Sequence, residues 1–271
     1  MQHVMIDGFR GFRSRFDQLQ LIQEILEEVP TQLGLQPTMP AFLLPYYNGV
    51  VPEDCGVSAF VFLAGGHFTL HTFSFREVYF ADMATSAFYD HRRLQSLMEA
   101  ALPCEMTTVS RVTRAPGALR DVESDEASDF GPHLLLDLDE YQGPRTLDDL
   151  FDLFDRLPAA IGMTPIMRPY VVRNTTADGP VTSAMTMIAE SHISLHVFEA
   201  TRRAYFDLFS CRFFDRQQVV KRIQAELGGG PMREGLVARG SKYRLLRTER
   251  EMELTRSKRW LHALKADARP E

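Results

Sequence analysis

Lysine is scarce in this chain. Lys221, Lys242, Lys258 and Lys265 are the only four among 30 basic residues, and 36 acidic residues leave a net charge of −6. That balance does not favour nucleic acid or an anionic membrane surface as the main partner. Cysteine is scarce as well: Cys55, Cys104 and Cys211 are odd in number and share no metal-type spacing. This argues against a disulfide scaffold and for a reduced, cytoplasmic protein. No apolar run approaches the roughly 18 residues a membrane span needs, and no basic-then-apolar leader opens the sequence. What is present is a globular mix, 45% hydrophobic and 24% charged, over 271 residues. That length suits two domains better than one.

The sequence repeats itself. Displaced by 125 residues, Ser58–Phe73 (SAFVFLAGGHFTLHTF) lies over Ser183–Phe198 (SAMTMIAESHISLHVF). The match runs on without a gap to Asp90 and Asp215, with 10 of 33 positions identical. His3–Asp7 resembles His133–Asp137, Leu33–Met39 resembles Ile161–Met167, and VTRA at 112–115 lies over VARG at 237–240. Such self-similarity marks a duplicated unit. Residues 1–114 form the first copy and 132–240 the second. Between them, 115–131 is an acidic linker rich in Ala, Ser and Gly. The basic tail, 241–271, has a helical look through Arg250–Leu264; it reads as a solvated terminal helix or as an anion- or partner-binding segment.

Each copy predicts the same elements. A short strand (His3–Asp7; His133–Asp137) precedes an amphipathic helix, marked by Leu19, Ile22, Leu26 and Val29 or by Leu147, Leu150, Phe151, Phe154 and Leu157. Alternating strands run through Ser58–Phe73 and Ser183–Phe198, with another near Tyr79–Met83 or Ala204–Phe209. A second helix near Arg93–Leu102 or Gln217–Leu227 and a last strand near 107–114 or 235–239 complete the unit. Helices in each copy cover only one sheet face, so the bare faces should pack together. The expected α+β product is two tandem α/β repeats packed sheet to sheet, a four-layer α/β/β/α sandwich with pseudo-twofold symmetry.

The copies differ where chemistry would sit. Ala189-Glu190-Ser191-His192 stands against Ala64-Gly65-Gly66-His67, and Cys211 against Ser86, while Ser183, His192 and His196 have counterparts in Ser58, His67 and His71. One live site and one retired site is the pattern. A metal is not expected: His192 and His196 fit H-x-x-x-H, but on a strand they lie about 13 Å apart and cannot share an ion. A serine hydrolase would need a G-x-S-x-G elbow, which is missing. Cys211 with His196 as a nucleophile pair, or Ser191 and the histidines as satisfied polar groups of a sheet, are the alternatives that spacing leaves open.

AESHISLHVF, followed after eight residues by DLFSC, resembles the small prokaryotic S-adenosylmethionine decarboxylases. Those carry Glu-Ser-His, then Ile-His-Thr-Trp-Pro-Glu, then Asp-Leu-Phe-Thr-Cys. The resemblance covers the second copy and, more weakly, the first. It implies self-cleavage between Glu190 and Ser191 into residues 1–190 and 191–271, which stay associated. Ser191 would become a pyruvoyl group, the cofactor that takes up electrons as CO₂ leaves. It further implies His196 and Ser183 as base and polar partner for the elimination, and Cys211 as the acid that reprotonates the product. Phe198, Phe73 and Glu199 are the candidate substrate contacts, for stacking on adenine and holding a ribose. Val197-Phe198-Glu199-Ala200 replaces the family's Thr-Trp-Pro-Glu, and Ala177 replaces an upstream Phe. The first copy would act as a built-in partner, with one site per chain, in a pocket between the copies near Ser191. The activity implied is decarboxylation of S-adenosylmethionine for polyamine (spermidine) synthesis. The same chemistry on arginine or ornithine, or a non-catalytic binding homologue, are the alternatives.

Overall fold

The computed structural model describes residues 1–46, 55–114, 119–228 and 230–267; part of the predicted linker, 115–118, lies outside the described residues. The first copy contributes strands β1 (Gln2–Gly11), β2 (Phe42–Tyr46), β3 (Gly56–Leu63), β4 (Gly66–Phe73), β5 (Val78–Thr85) and β6 (Cys104–Thr113), and helices α1 (Arg13–Phe16), α2 (Leu19–Gln32) and α3 (His91–Ala101). The second contributes β7 (Gly131–Leu138), β8 (Tyr170–Thr176), β9 (Gly179–Ile188), β10 (Ser191–Phe198), β11 (Arg203–Ser210) and β12 (Met232–Arg239), with α4 (Leu147–Ala160) and α5 (Arg216–Glu226). Each copy forms a six-stranded sheet, in the orders β2-β3-β4-β5-β1-β6 and β8-β9-β10-β11-β7-β12. All strand pairs are antiparallel.

The repeated sequence fragments have structural reasons. Asp90 and Asp215 are N-caps: their carboxylates accept from the backbone N–H of Arg92 and Arg93, and of Gln218. This satisfies donors that open helix ends leave orphaned. Leu33-Gly34-Leu35 and Ile161-Gly162-Met163 end α2 and α4. Gly34 and Gly162 take φ near 74° and 75°, and the N–H groups of Leu35 and Met163 return to the carbonyls of Pro30 and Pro158 at 2.9 and 2.8 Å. Only glycine adopts that turn without strain, and the buried Leu35 and Met163 anchor it.

Strand alternation then sorts the side chains. On β4, Phe68 and Leu70 point to the helix side, where Ile22, Leu26, Leu94 and Met98 cover them. On β10, Ile193, Leu195 and Val197 do the same beneath Leu150, Phe154 and Ile223. Each fully buried Leu, Ile or Phe contributes roughly 1.5–3 kcal/mol. The opposite faces meet: Phe60 and Phe62 of β3 pack on Met185 and Met187 of β9. The four-layer sandwich expected from the sequence is therefore present, with each copy's helices on the outside.

Strands β2 and β8 were not expected. They are partly exposed edge strands, and neither FLLPY nor YVVRNTT carries clean alternation. The linker is also less solvated than its composition suggests. Leu119 is buried with Met5, Leu135 and Val237, and Phe130 with Phe80 and Phe209. The tail forms helix α6 (Tyr243–Asp267), whose first turns dock: Tyr243 is buried, and Arg250 pairs with Glu77 at 2.8 Å. No helix among the described residues is long and apolar enough to cross a membrane.

Candidate active site

Between the sheets the apolar rim gives way to a polar seam. His3, His67, His71, His133, His192 and His196 are all fully buried there, with Asp82 and Asp207. Two arginines close the seam crosswise. Arg114 of the first copy donates to Asp137 of the second at 2.7 Å and to the carbonyls of Leu136 and Phe206. Arg239 of the second copy reaches Asp7 at 2.6 Å and Asp82 at 2.5 Å in the first, over the Phe209 ring at 4.6 Å. Buried charges persist only when paired in this way.

The strands β4 and β10 face each other head to tail across the seam. His71 Nε2 lies 2.8 Å from His192 Nδ1, and His67 Nδ1 lies 2.7 Å from His196 Nε2. Each pair has its own serine: Ser58 Oγ is 2.9 Å from His71 Nδ1, and Ser183 Oγ is 2.8 Å from His196 Nδ1. This register has a consequence for every candidate residue. At about 3.3 Å per residue, His196 is roughly 16 Å from Ser191 along the extended β10, and it belongs to the opposite end of the seam. The histidine facing the Ser191 end is His71, from the first copy.

At that end the candidates Glu190, Ser191, Cys211 and Phe73 come together. The Cys211 N–H donates to the Glu190 carbonyl at 2.8 Å. The Glu190 carboxylate accepts from the Thr164 N–H at 3.1 Å and lies 3.5 Å from Arg212. Ser191 is buried, its hydroxyl has no hydrogen-bond partner, and its φ of 149° lies where L-residues are strained. Phe73 joins the aromatic cluster of Phe80, Phe130, Phe209 and Tyr243, against which Cys211 packs. A cavity of about 430 Å³ opens here, lined by Glu190, Cys211, Phe130 and Phe213, with Arg76, Arg212 and Arg244 around it and Tyr243 of the tail as one wall.

At the other end, Ser183 bonds to His196 and His196 meets His67, two residues on from Gly65. A Cβ on Gly65 would lie 3.6 Å from the Phe198 ring and would overlap the Ser86 hydroxyl. Phe198 packs there with Val181 and Tyr205, and Glu199 pairs with Arg173 at 2.9 Å. Ser183, His196, Phe198 and Glu199 therefore lie toward the Gly65–Gly66 end of the seam. Ser58 and His71, their counterparts, lie toward the Ser191 end, where His71 meets His192, the residue after Ser191. The repeat carries a Ser/His pair in each copy, so the sequence alone does not tell which pair serves which loop.

Burial holds His67 and His71 well below the usual histidine range, and lowers His133 to about 4 and His196 to about 3. These rings are neutral at pH 7, the form in which an imidazole accepts a proton. The spacing argument against a metal considered only histidines on one strand. Across the copies, ligand-type atoms of His3, Asp82 and His133, and of His67, His192 and Asp207, come within 4.8 Å of one another. Arg239 is bonded to Asp82, and Arg114 stands 3.7 Å from Asp207. A permanent cation beside each carboxylate disfavours a divalent ion there. The seam's arginines and aspartates went unrecognised in the sequence. Their signal was present: Asp7 and Asp137, Asp82 and Asp207, and Arg114 and Arg239 recur at matching positions of the two copies, the aspartates on strands otherwise apolar enough to be buried.

Comparison with known proteins bears on the same residues. The family model described as S-adenosylmethionine decarboxylase matches residues 2–115 and 132–240. Among solved structures, the adenosylmethionine decarboxylase from Aquifex aeolicus VF5 aligns over 42% of this chain and 93% of its own, at 21% identity and a TM-score of 0.34. An unknown protein from Galdieria sulphuraria aligns over 88% of this chain and 96% of its own, at 12% identity and a TM-score of 0.21. No curated protein sequence matches. The family model fits each copy separately and leaves out the linker and the tail, which is the division that the two sheets make; the chain belongs to the S-adenosylmethionine decarboxylase family.

Proposed function

We propose that the chain is a self-cleaving, pyruvoyl-dependent decarboxylase of S-adenosylmethionine, supplying the aminopropyl donor for polyamine synthesis, with one active site per chain. The observation that carries this reading is the Glu190–Ser191 junction. A buried, unpartnered hydroxyl on a strained residue adjoins a carbonyl polarised by the Cys211 N–H, at the edge of the cavity. That geometry suits generation of a pyruvoyl group. Attack of the Ser191 hydroxyl on the Glu190 carbonyl converts the peptide bond to an ester, and the Cys211 N–H stabilises the charge that grows on the oxygen. Loss of the Ser191 α-proton to a base then expels Glu190 as a carboxylate. Water replaces the nitrogen of the new terminus, which departs as ammonia. A pyruvoyl group, once formed, supplies the electron sink for decarboxylation.

The base we assign is His71, with Ser58 as its polar partner, in place of His196 and Ser183. Neutral His71 faces the Ser191 end; His196 lies toward the Gly65–Gly66 end. Cys211, on the cavity wall, is assigned to return a proton to the substrate carbon. Phe130, Phe213 and Tyr243 offer the flat apolar surface that an adenine ring needs, a role moved from Phe198 at the far end.

The test is CO₂ release from carboxyl-labelled S-adenosylmethionine, arginine and ornithine on cleaved protein. Release from the sulfonium substrate is expected. Release from an amino acid alone would move the substrate and keep the chemistry, and release from none would leave a binding homologue.

A further inference from the structure

We infer that Asp207, acting through His192, is a positioning residue that fixes which nitrogen of His71 is basic at the Ser191 end. The inference rests on the reading above, in which His71 and Ser58 handle the proton at Ser191. Four groups lie in line across the seam. Ser58 Oγ is 2.9 Å from His71 Nδ1, His71 Nε2 is 2.8 Å from His192 Nδ1, and His192 Nε2 is 3.3 Å from Asp207 Oδ2. The two rings are stacked within 9° of parallel, and both they and Asp207 are fully buried, so water does not compete for these contacts.

A neutral imidazole carries one N–H and one bare nitrogen. Asp207 is ionised and can only accept; burial alone would raise its pKa, but the surrounding histidines hold it well below the usual carboxylate range. A bare His192 Nε2 beside it would set lone pair against lone pair. His192 therefore carries its proton on Nε2 and accepts on Nδ1. His71 must then donate from Nε2, which leaves Nδ1 bare toward the Ser58 hydroxyl. The order of donation runs Ser58 to His71 to His192 to Asp207. Its logic is that of a serine–histidine–aspartate triad lengthened by one imidazole. Neighbouring groups agree with this direction. Arg239 donates to His133 Nδ1 at 3.0 Å, which leaves His133 its proton on Nε2, 3.4 Å from the same Asp207 oxygen. Ser194 donates to the other oxygen at 2.7 Å.

The retired end lacks the last link. Ser183, His196 and His67 repeat the first three groups at 2.8 and 2.7 Å; neither His192 Nε2 nor His67 Nε2 makes a well-directed hydrogen bond, but His192 Nε2 has the Asp207 carboxylate at 3.3 Å, whereas His67 Nε2 has no such ion pair among the described residues. Asp82, the counterpart of Asp207, is bound by Arg239 at 2.5 Å, whereas Arg114 spends its short bonds on Asp137 and two carbonyls and stands 3.7 Å from Asp207. Within a nearly symmetric seam, the chain reaches a carboxylate only on the side that faces Glu190–Ser191.

The direct test reads the tautomer. In the full-length Ser191→Ala chain, held uncut and labelled with ¹⁵N-histidine, nitrogen NMR should find His71 and His192 each protonated on Nε2 and bare on Nδ1. His71 protonated on Nδ1 would overturn the inference, whether or not the wild-type chain cleaves. In the cleavable background, Asp207→Asn can present an N–H₂ to His192 and reverse the chain. It should shift the His71 tautomer and slow cleavage by about tenfold or more, while His196→Gln, at the other end of the seam, should change it by only a few fold. An Asp207→Asn chain that cleaves at the wild-type rate with the His71 tautomer unchanged would refute the positioning role alone. If that variant does not fold, the tautomer in the Ser191→Ala chain decides. A wild-type chain that never cleaves would instead sink the proposed function.

Discussion

The two ends of the inter-sheet seam carry the same serine, histidine and phenylalanine: Ser58, His71 and Phe73 at one, Ser183, His196 and Phe198 at the other. They differ in the loop those residues face. One faces Glu190, Ser191 and Cys211, the other Gly65, Gly66 and Ser86. Because the sheets cross head to tail, each end is built from both copies. On the proposed reading, the copy with the Gly65–Gly66 loop still supplies the serine, histidine and phenylalanine of the other copy's site, and duplication within one chain would allow that division: neither half is free to drift at the seam, while one loop is released from chemistry.

The largest contrast should come from the loops themselves. Ser191→Ala should abolish cleavage on a denaturing gel, since no hydroxyl is left to form the ester. The reciprocal change, Gly66→Ser, should create no second cut. A Cβ there would overlap the Ala84 carbonyl, and we expect about 2–4 kcal/mol of destabilisation in urea unfolding. Next come the histidines. His71→Ala should slow cleavage by roughly 10²–10⁴-fold, the usual contribution of a positioned base, whereas His196→Ala should change it by only a few fold. A reversed order would return the base to the second copy.

The crosswise arginines sharpen the comparison through stability. Arg239→Met leaves Asp7 and Asp82 buried without their cation, and Arg114→Met removes the near cation of Asp137, leaving it only Arg233 at 3.9 Å. Each should cost about 3–5 kcal/mol by chemical denaturation. The smallest effect per group is that of pH. His67, His71, His133 and His196 have depressed folded-state pKa values, so the unfolded chain binds protons that the native one refuses. Their contribution is complete above about pH 6.5 and is lost as pH falls toward the folded values. The expected loss is about 1 kcal/mol per histidine per pH unit. Urea midpoints should fall between pH 6.5 and 4.5 and be level from 7 to 8. A midpoint independent of pH over the acid range would mean that these rings titrate normally in the fold.

Much of this was legible in the sequence. The 125-residue displacement, the alternation of FTLHTF and ISLHVF and the helical spacing of Leu150, Phe154 and Leu157 dictated two sheets with helices on one side, and hence the sandwich. Glu190, Ser191 and Cys211 were legible because they break the repeat. Strands β2 and β8 were not, since half-exposed edges impose no strict alternation. The choice between His71 and His196 was not legible either. It depends on the direction in which two sheets cross, which no local spacing records. The place of Phe198 and Glu199 was not legible for the same reason: Phe198 lies about 23 Å along β10 from Ser191, with Glu199 just beyond the strand's end.

The central claim is that only the Glu190–Ser191 loop is live. Intact mass spectrometry of the purified wild-type chain tests it most directly. The account predicts two species, residues 1–190 ending in a free Glu190 carboxylate and residues 191–271 beginning with a pyruvoyl group, with no cut at Gly65–Gly66. A single uncut species of 271 residues after prolonged incubation, or a small chain that begins with an intact serine, would contradict it.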